Sequence, residues 1–574
     1  MMKQEPATII VGAPHGLRRL LRLAPAFACL ALHGCGVDTP SATPGSPEAA
    51  AASSDVEAAH ASSVTARIAP GDCEGLRGLS LPHVTIDDAH VVPASDASPD
   101  QAALPASCRV LGTSHPTSDS TIRFLVAIPQ GPAFTGRYFQ VGNGGFGGRI
   151  RERAILGMLS AGNAAAGTDD GHTSTDGTDT TWALGHPEKI KDFGYRALKE
   201  TTDAARAVVL AYTGQAPSRS YFVGCSDGGR EALMEAQRYP NDFDGVVAIS
   251  PANDWTSLFF GGAWAEQALH RDAAHYLSPP KLGVLQAAAK AACAASDGVI
   301  DDPLACRFDP AVVRCRGAEN DDCLTAAQIE TARAIYAGPR NARTGEPIIA
   351  GYEPGYEAEP GSWADWITGQ AADRGGEMTS FARGFFSNVV FGDPNYDLLK
   401  LNFDSDLTAT RAKLSSILDA SDPDLRRFRR RGGKLIQVHG WADPGIPPRD
   451  SIRYFESVRK KLGDTADFYR LFMVPGMLHC VGEPGGDVRP VDPHAVEAVV
   501  DWVEGGKAPA QLVANLGDTA SDGTPRTRLL CRHPEVARWD GKGDRGRAES
   551  YACVVPAKPT TPPYDRSPSS ASQQ

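Results

Sequence analysis

A doubly wound α/β fold with a large insertion is the architecture this sequence predicts, and three observations carry it. Short apolar strand candidates, Ile122–Pro129, Tyr138–Val141, Tyr221–Val223, Lys434–Val438 and Tyr469–Val474, are interleaved with helix-forming stretches. That alternation stops after Pro251 and resumes only near residue 425. Between the two, at the centre of the pattern, Tyr221-Phe222-Val223-Gly224-Cys225-Ser226-Asp227-Gly228-Gly229-Arg230 runs from a strand through G-x-S-x-G into a helix former. Strand, tight turn and helix in that order are the context a nucleophile elbow requires. The glycines fit a strained turn whose neighbours pack without a Cβ. A chain of 574 residues fits one large domain with an insertion, or two domains.

Composition narrows the function. Hydrophobic content of 42% and charge of 22% are those of a globular enzyme. A net charge of −12 argues against nucleic acid or an anionic membrane as partner. The one basic cluster, Arg426-Arg427-Phe428-Arg429-Arg430-Arg431, reads as a solvated helix end ahead of a strand.

Taken in order, residues 1–35 read as an export signal: basic residues around Arg18, Arg19 and Arg22, then an apolar run, Leu23–Leu32, too short to span a bilayer. The run ends at Leu32-His33-Gly34-Cys35, which is similar to a lipoprotein signal with Cys35 as the lipidated residue; simple secretion is the alternative. No later segment reads as transmembrane, so the expectation is a periplasmic or outer-membrane lipoprotein, or a secreted protein. Residues 36–68 are rich in Ala, Ser, Pro and Thr and read as a disordered tether. The first part of the α/β core then spans 69–252, the insertion 253–424 and the second part of the core 425–555. Residues 556–574 form a Pro/Ser/Thr-rich disordered tail. Ten cysteines lie beyond the export signal, and an even set in an oxidising compartment implies disulfides. With no C-x-x-C pair, zinc is disfavoured.

Within the first core part, Tyr138–Val141 runs into Gly142-Asn143-Gly144-Gly145-Phe146-Gly147-Gly148, a loop whose bare amides can approach an oxyanion. Asp169, Asp170, Asp176 and Asp179 follow in a Thr/Gly-rich loop and read as solvated turn residues. Phe193, Ala197, Thr201, Ala204, Ala205, Val208 and Val209 recur at helical spacing, with Gly214 as the stop. The insertion crowds aromatics, among them Trp255, Phe259, Trp366, Phe381 and Phe385, and reads as a lid with an apolar pocket. A helix from Pro493 to Val503 closes the fold.

An elbow serine needs a base to take its proton and a carboxylate to orient that base. Asp443 follows the Lys434–Val438 strand in His439-Gly440-Trp441-Ala442-Asp443-Pro444, and His479 follows the Tyr469–Val474 strand in Pro475-Gly476-Met477-Leu478-His479-Cys480. The order Ser226, Asp443, His479 is that of the α/β-hydrolases. His439 and His186 are the competing bases; strand-end position favours His479. Cys225 precedes Ser226 and Cys480 follows His479, so a disulfide between them would join nucleophile to base. The backbone amides of Asp227 and of Gly144 or Gly145 are the candidate oxyanion donors.

These three motifs together resemble the signatures of the tannase and feruloyl esterase family, which includes enzymes acting on mono(2-hydroxyethyl) terephthalate. The similarity extends from about Cys73 to Cys553 and takes in Trp182–Pro187 and Cys531-Arg532-His533-Pro534. The resemblance implies an α/β-hydrolase core with a lid. It also implies the pairs Cys225–Cys480, Cys73–Cys108, Cys293–Cys306, Cys315–Cys323 and Cys531–Cys553. It further implies a structural calcium loop, for which Asp297, the Val299 carbonyl and Asp301 keep the ligand spacing. Ala294 replaces an expected carboxylate there, and calcium takes six to eight oxygens, so the set is short. Leu478 stands where the family usually carries a small residue. The activity implied is hydrolysis of a small aromatic ester (hydroxycinnamoyl, galloyl or benzoyl) through an acyl-enzyme, with no organic cofactor; the alternative is a catalytically silent or peptidase-type α/β-hydrolase displayed at the cell surface. Arg383, between lid aromatics, is a candidate partner for a substrate carboxylate; a surface ion pair is its other reading.

Overall fold

One mixed sheet of nine strands organises the chain: β1 (Val84–Val92), β2 (Ser107–Ser114), β3 (Ile122–Pro129), β4 (Arg137–Val141), β5 (Ala164–Thr168), β6 (Arg219–Cys225), β7 (Gly245–Ile249), β8 (Lys434–Gly440) and β9 (Tyr469–Val474). The computed structural model describes residues 68–98, 101–480, 494–519 and 523–556. The export signal, the tether apart from residue 68, and the tail beyond residue 556 lie outside the described residues. Strand order is β1-β2-β3-β5-β4-β6-β7-β8-β9. From β5 to β9 every pairing is parallel, whereas β1, β2 and β3 pair antiparallel and β3 joins β5 antiparallel.

The parallel strands carry apolar residues toward both faces, as a sheet covered on both sides demands. Phe222 and Val246 face one interior, packed with Leu198, Val208, Val209, Phe455 and Val458. Their neighbours Tyr221 and Val247 face the other, with Ile155, Leu159, Val499 and Trp502. The covering helices are α1 (Glu152–Ser160), α2 (Ala197–Thr213), α3 (Asp227–Arg238), then α4 (Trp255–Leu269), α5 (Pro279–Cys293), α6 (Ala326–Ala337), α7 (Glu377–Gly384), α8 (Ser405–Leu418) and α9 (Arg426–Arg431) in the 250–433 segment, and finally α10 (Pro448–Leu462) and α11 (Ala495–Gly505). Gly214, at φ +75°, ends α2 in the left-handed conformation that glycine adopts at no steric cost. Truncating a fully buried aromatic such as Phe222 to Ala costs about 3–5 kcal/mol in cores of this kind.

Between β7 and β8 the chain leaves the sheet and builds an interior of its own around Leu269, Leu282, Leu285, Leu324, Ile329, Tyr336 and Trp363. A second apolar cluster joins this segment to the sheet: Phe146, Trp182 and Phe193 pack with Trp255, Phe259, Phe381 and Phe385.

Four features depart from expectation. The first three strands run antiparallel, joined by irregular connections without a helical crossover. β7 (Gly245–Ile249) is short and follows Asp244 with no alternation to mark it, and β5 is almost all alanine. The chain does not close with α11: it continues into hairpins β10 (Gln511–Thr519) with β11 (Pro525–Cys531), and β12 (Val536–Trp539) with β13 (Tyr551–Val554). Asp169 and Asp170 are buried, not solvated, whereas Asp176 is exposed as expected.

Candidate active site

Ser226 sits between β6 and α3 with φ +63° and ψ −119°, a conformation that non-glycine residues rarely adopt. Close packing around the turn holds it there. A Cβ on Gly224 would stand 2.4 Å from the Gly228 carbonyl oxygen, and one on Gly228 would stand 2.7 Å from that of Asn143. Main-chain bonds fix the rest: Ser226 N–H donates to Ile249 at 3.1 Å, and its carbonyl accepts from Arg230 and Ala252, each at 3.0 Å.

His479 Nε2 lies 2.9 Å from Ser226 Oγ, and its Nδ1 lies 2.8 Å from Asp443 Oδ2. The imidazole side chain is 6% exposed and the carboxylate is fully buried. Gly445 and Ile446 N–H groups each donate to Asp443 Oδ1 at 2.8 Å, leaving Oδ2 for the imidazole. His439 is the competing base, and it lies beside Asp443 instead: its Nε2 is 3.1 Å from the Ile446 carbonyl oxygen and 3.3 Å from Asp443 Oδ2, while Nδ1 bonds Ser451 Oγ at 2.6 Å. Burial alone would raise the Asp443 carboxyl, but His479 and His439 outweigh it and hold the group well below the usual carboxylate range. His186 pairs with Asp119 at 2.7 Å and takes no part in this chain.

The Cys225–Cys480 disulfide, with Cα atoms 5.8 Å apart, spans 255 residues and joins the two loops. The other four pairs are those the resemblance implied: Cys73–Cys108, Cys293–Cys306, Cys315–Cys323 and Cys531–Cys553. Leu478 is accommodated in the sheet-side interior beside Ala442, Val474 and Met477.

The glycine loop lies against the elbow: Gly228 N–H donates to the Asn143 carbonyl at 3.0 Å. Asp227 is the first residue of α3, so its amide has no intrahelical acceptor. The two glycine donors separate. Gly144 N–H is engaged by Asn143 Oδ1 at 3.0 Å, whereas Gly145, at φ +61°, has an amide with no protein acceptor among the described residues.

The Asp227 side chain points away from solvent into a buried acidic cluster with Asp170 and Glu231. Arg230 answers it, bonding Asp227 at 2.7 Å while its guanidinium lies 4.8 Å from the Phe193 ring and 5.1 Å from Trp255. Burial, then the Asp227 charge, pushes Glu231 up to about 8. Its Oε2 accepts the Asn143 N–H at 2.9 Å, so the cluster anchors the glycine loop from behind.

The approach to Ser226 is aromatic. Trp366 packs edge-on against His479, with ring centroids 4.8 Å apart, and stacks with Phe381 at 6.4 Å. Phe146, from the glycine loop itself, packs at 5.4–5.7 Å against Trp255, Phe259 and Phe381. Arg383 is not a free cation. Its Nη2 lies 3.7 Å from Glu266, which also bonds Thr379 and His270.

Asp297, Val299 and Asp301 fall on one short loop closed by the Cys293–Cys306 disulfide, but their surroundings do not fit a calcium ion. Arg528 of β11 is fully buried, and its guanidinium stands 2.6 Å from Asp297 Oδ2 and 3.4 Å from Asp301 Oδ1. The Val299 carbonyl accepts the Ala295 N–H at 2.9 Å inside the loop. Sequence reasoning missed Arg528, brought in from β11, and the place of His439 beside Asp443; it had Trp366 among the lid aromatics but not its contact with His479.

A serine elbow at the carboxyl end of a parallel strand, with histidine and aspartate from later strand ends, defines the chain as an α/β-hydrolase. The model of the family described as tannase and feruloyl esterase matches residues 108–554, and the chain belongs to that family of carboxylic ester hydrolases. It is 43% identical over 534 residues to an uncharacterized esterase of Xanthomonas campestris pv. campestris, covering 86% of this chain and 92% of that one. It is 32% identical to the mono(2-hydroxyethyl) terephthalate hydrolase of Piscinibacter sakaiensis over 81% of this chain and 87% of the relative. The crystal structure of feruloyl esterase B from Aspergillus oryzae superposes with a TM-score of 0.75 at 24% identity, over 84% of this chain and 99% of that one.

Proposed function

We propose that the protein is a serine hydrolase for small esters of aromatic acids, of the hydroxycinnamoyl, galloyl or benzoyl type. The continuous Ser226–His479–Asp443 chain beneath an aromatic wall is the observation that carries the reading. Ser226 Oγ attacks the ester carbonyl as His479 Nε2 takes the hydroxyl proton, and Asp443 holds the ring and balances its charge. The amides of Asp227 and Gly145 stabilise the tetrahedral oxyanion. His479 returns the proton to the departing alcohol, and water, activated by the same imidazole, releases the acid from the acyl-enzyme.

The 253–424 segment acts as the lid, its Trp366 and Phe381 lining the acyl side. With Glu266 beside it, Arg383 is a weaker anchor for a substrate carboxylate than an unpaired arginine, which favours neutral acyl groups over terephthalate half-esters. The five disulfides and the basic-apolar N-terminus support export, with Cys35 as the site of lipid attachment in the lipoprotein alternative. Among the described residues no helix is long and apolar enough to cross a membrane.

The test is a hydrolysis panel of methyl ferulate, methyl gallate, mono(2-hydroxyethyl) terephthalate and short p-nitrophenyl esters, with Ser226→Ala alongside. The expected result is turnover of an aromatic acid ester that the variant lacks. Turnover confined to p-nitrophenyl esters would remove the aromatic assignment, and unchanged activity in the variant would remove the nucleophile.

A further inference from the structure

Arg528 is an unusual residue to bury. It lies on β11, paired in register with Ala514 of β10, and both are fully buried. Its guanidinium enters the loop between Cys293 and Cys306, bonds Asp297 at 2.6 Å, stands 3.4 Å from Asp301 and stacks 4.6 Å from the Tyr551 ring of β13. Arg526, two residues earlier on the same strand, adds a second guanidinium 3.7 Å from Asp297. Two carboxylates thus meet two fixed positive charges, the charge that one divalent cation would bring.

We propose that these arginines, Arg528 above all, are a built-in replacement for a divalent ion, so that the loop is ordered and the enzyme is stable without calcium. Three physical arguments support it. A guanidinium cannot be deprotonated at any working pH, so like a bound ion it is a permanent charge. Its fork reaches two carboxylates at once, as a bridging cation does. Unlike an ion, it is covalently part of β11, so the contact also fastens the C-terminal hairpins to the 253–424 segment. A calcium ion would have to share this space with a buried like charge, and the donors left to it are fewer than the six to eight oxygens it takes.

The experiment uses the purified full chain and reads thermal unfolding in EDTA and in millimolar calcium, with calorimetric titration of calcium as a second readout. The wild type is expected to show no calorimetric binding and a Tm equal in both conditions to within about 1 °C, since a ligand without a site cannot stabilise. Arg528→Met is expected to unfold several degrees lower in EDTA, and Arg528→Met combined with Ala294→Asp to regain Tm in calcium but not in EDTA. Arg528→Lys, which keeps the charge and loses the fork, should fall between wild type and Arg528→Met with no calcium response. Saturable calcium binding by the wild type, or a calcium-dependent rise of several degrees in its Tm, overturns the proposal even if the variants fail to fold. So does an Arg528→Met variant as stable as the wild type.

Discussion

Two loops of this molecule solve the same electrostatic problem with different cations. In each, carboxylates are drawn out of solvent, wholly at Asp443 and in part at Asp297 and Asp301, and in each a nitrogen group from a later strand or strand end meets them. At the elbow Asp443 faces His479 and His439; at the 294–302 loop Asp297 and Asp301 face Arg528. An imidazole can take up and release a proton, and a reaction that borrows a proton needs that. The guanidinium never does, and a structural clasp needs that instead. The carboxylates record the difference: Asp443 is held well below its ordinary pKa, whereas at Asp301 burial wins over Arg528 and the group is raised.

The largest expected effect is on the exchangeable side. Ser226→Ala should lower kcat by about 10⁶-fold with thermal stability retained, measured by steady-state kinetics and calorimetry. Asp443→Asn should lower it by about 10⁴-fold, because the imidazole loses the acceptor that fixes its tautomer. Arg528→Met should do the reverse, costing about 1–3 kcal/mol of unfolding free energy by removing the buried partner of Asp297 and Asp301, with Arg526 still 3.7 Å from Asp297, while kcat of the folded fraction stays near wild type. An Arg528→Met enzyme that stayed stable but lost turnover would erase the distinction between the two loops.

A titration sharpens the same contrast. Asp443 has a folded pKa below its unfolded one, so its stabilising contribution is present at neutral pH and is lost as pH falls through and below the usual carboxylate range. Glu231 is raised to about 8, so the folded state binds the extra proton and stability declines as pH rises from the ordinary glutamate value toward 8. Glu231→Gln should flatten that alkaline decline, read by urea unfolding at a series of pH values. The smallest effect is expected at the pocket wall, where Trp366→Ala should raise KM for an aromatic ester about tenfold and leave a short p-nitrophenyl ester less affected.

What the sequence disclosed divides along similar lines. Ser226, Asp443 and His479 were legible because each follows an apolar strand at a turn with its own local signature. The glycine loop was legible for the same reason, although choosing Gly145 over Gly144 required seeing Asn143 Oδ1 take the other amide. Arg528 was not legible. In Arg526-Thr527-Arg528-Leu529-Leu530 it looks like the polar face of a strand, and only the tertiary approach of Asp297 and Asp301 makes its burial tolerable. Asp170 misled for the converse reason. Its Thr/Gly-rich neighbours signal a surface turn, yet the loop packs against α3 and the carboxyl is buried with Asp227 and Glu231. β5 escaped because alanine carries little strand preference, and here its small side chains let neighbouring strands and helices close in.

The disulfide that joins Cys225 to Cys480 also sets when this enzyme can first exist. Its two ends are 255 residues apart, and the base lies beside the later one. A chain emerging from its N-terminus therefore presents the nucleophile long before the histidine that activates it, and Arg528 arrives later still. Until the segment carrying His479 has joined the fold, Ser226 has no base beside it, so assembly of the catalytic chain waits on the C-terminal third of the molecule.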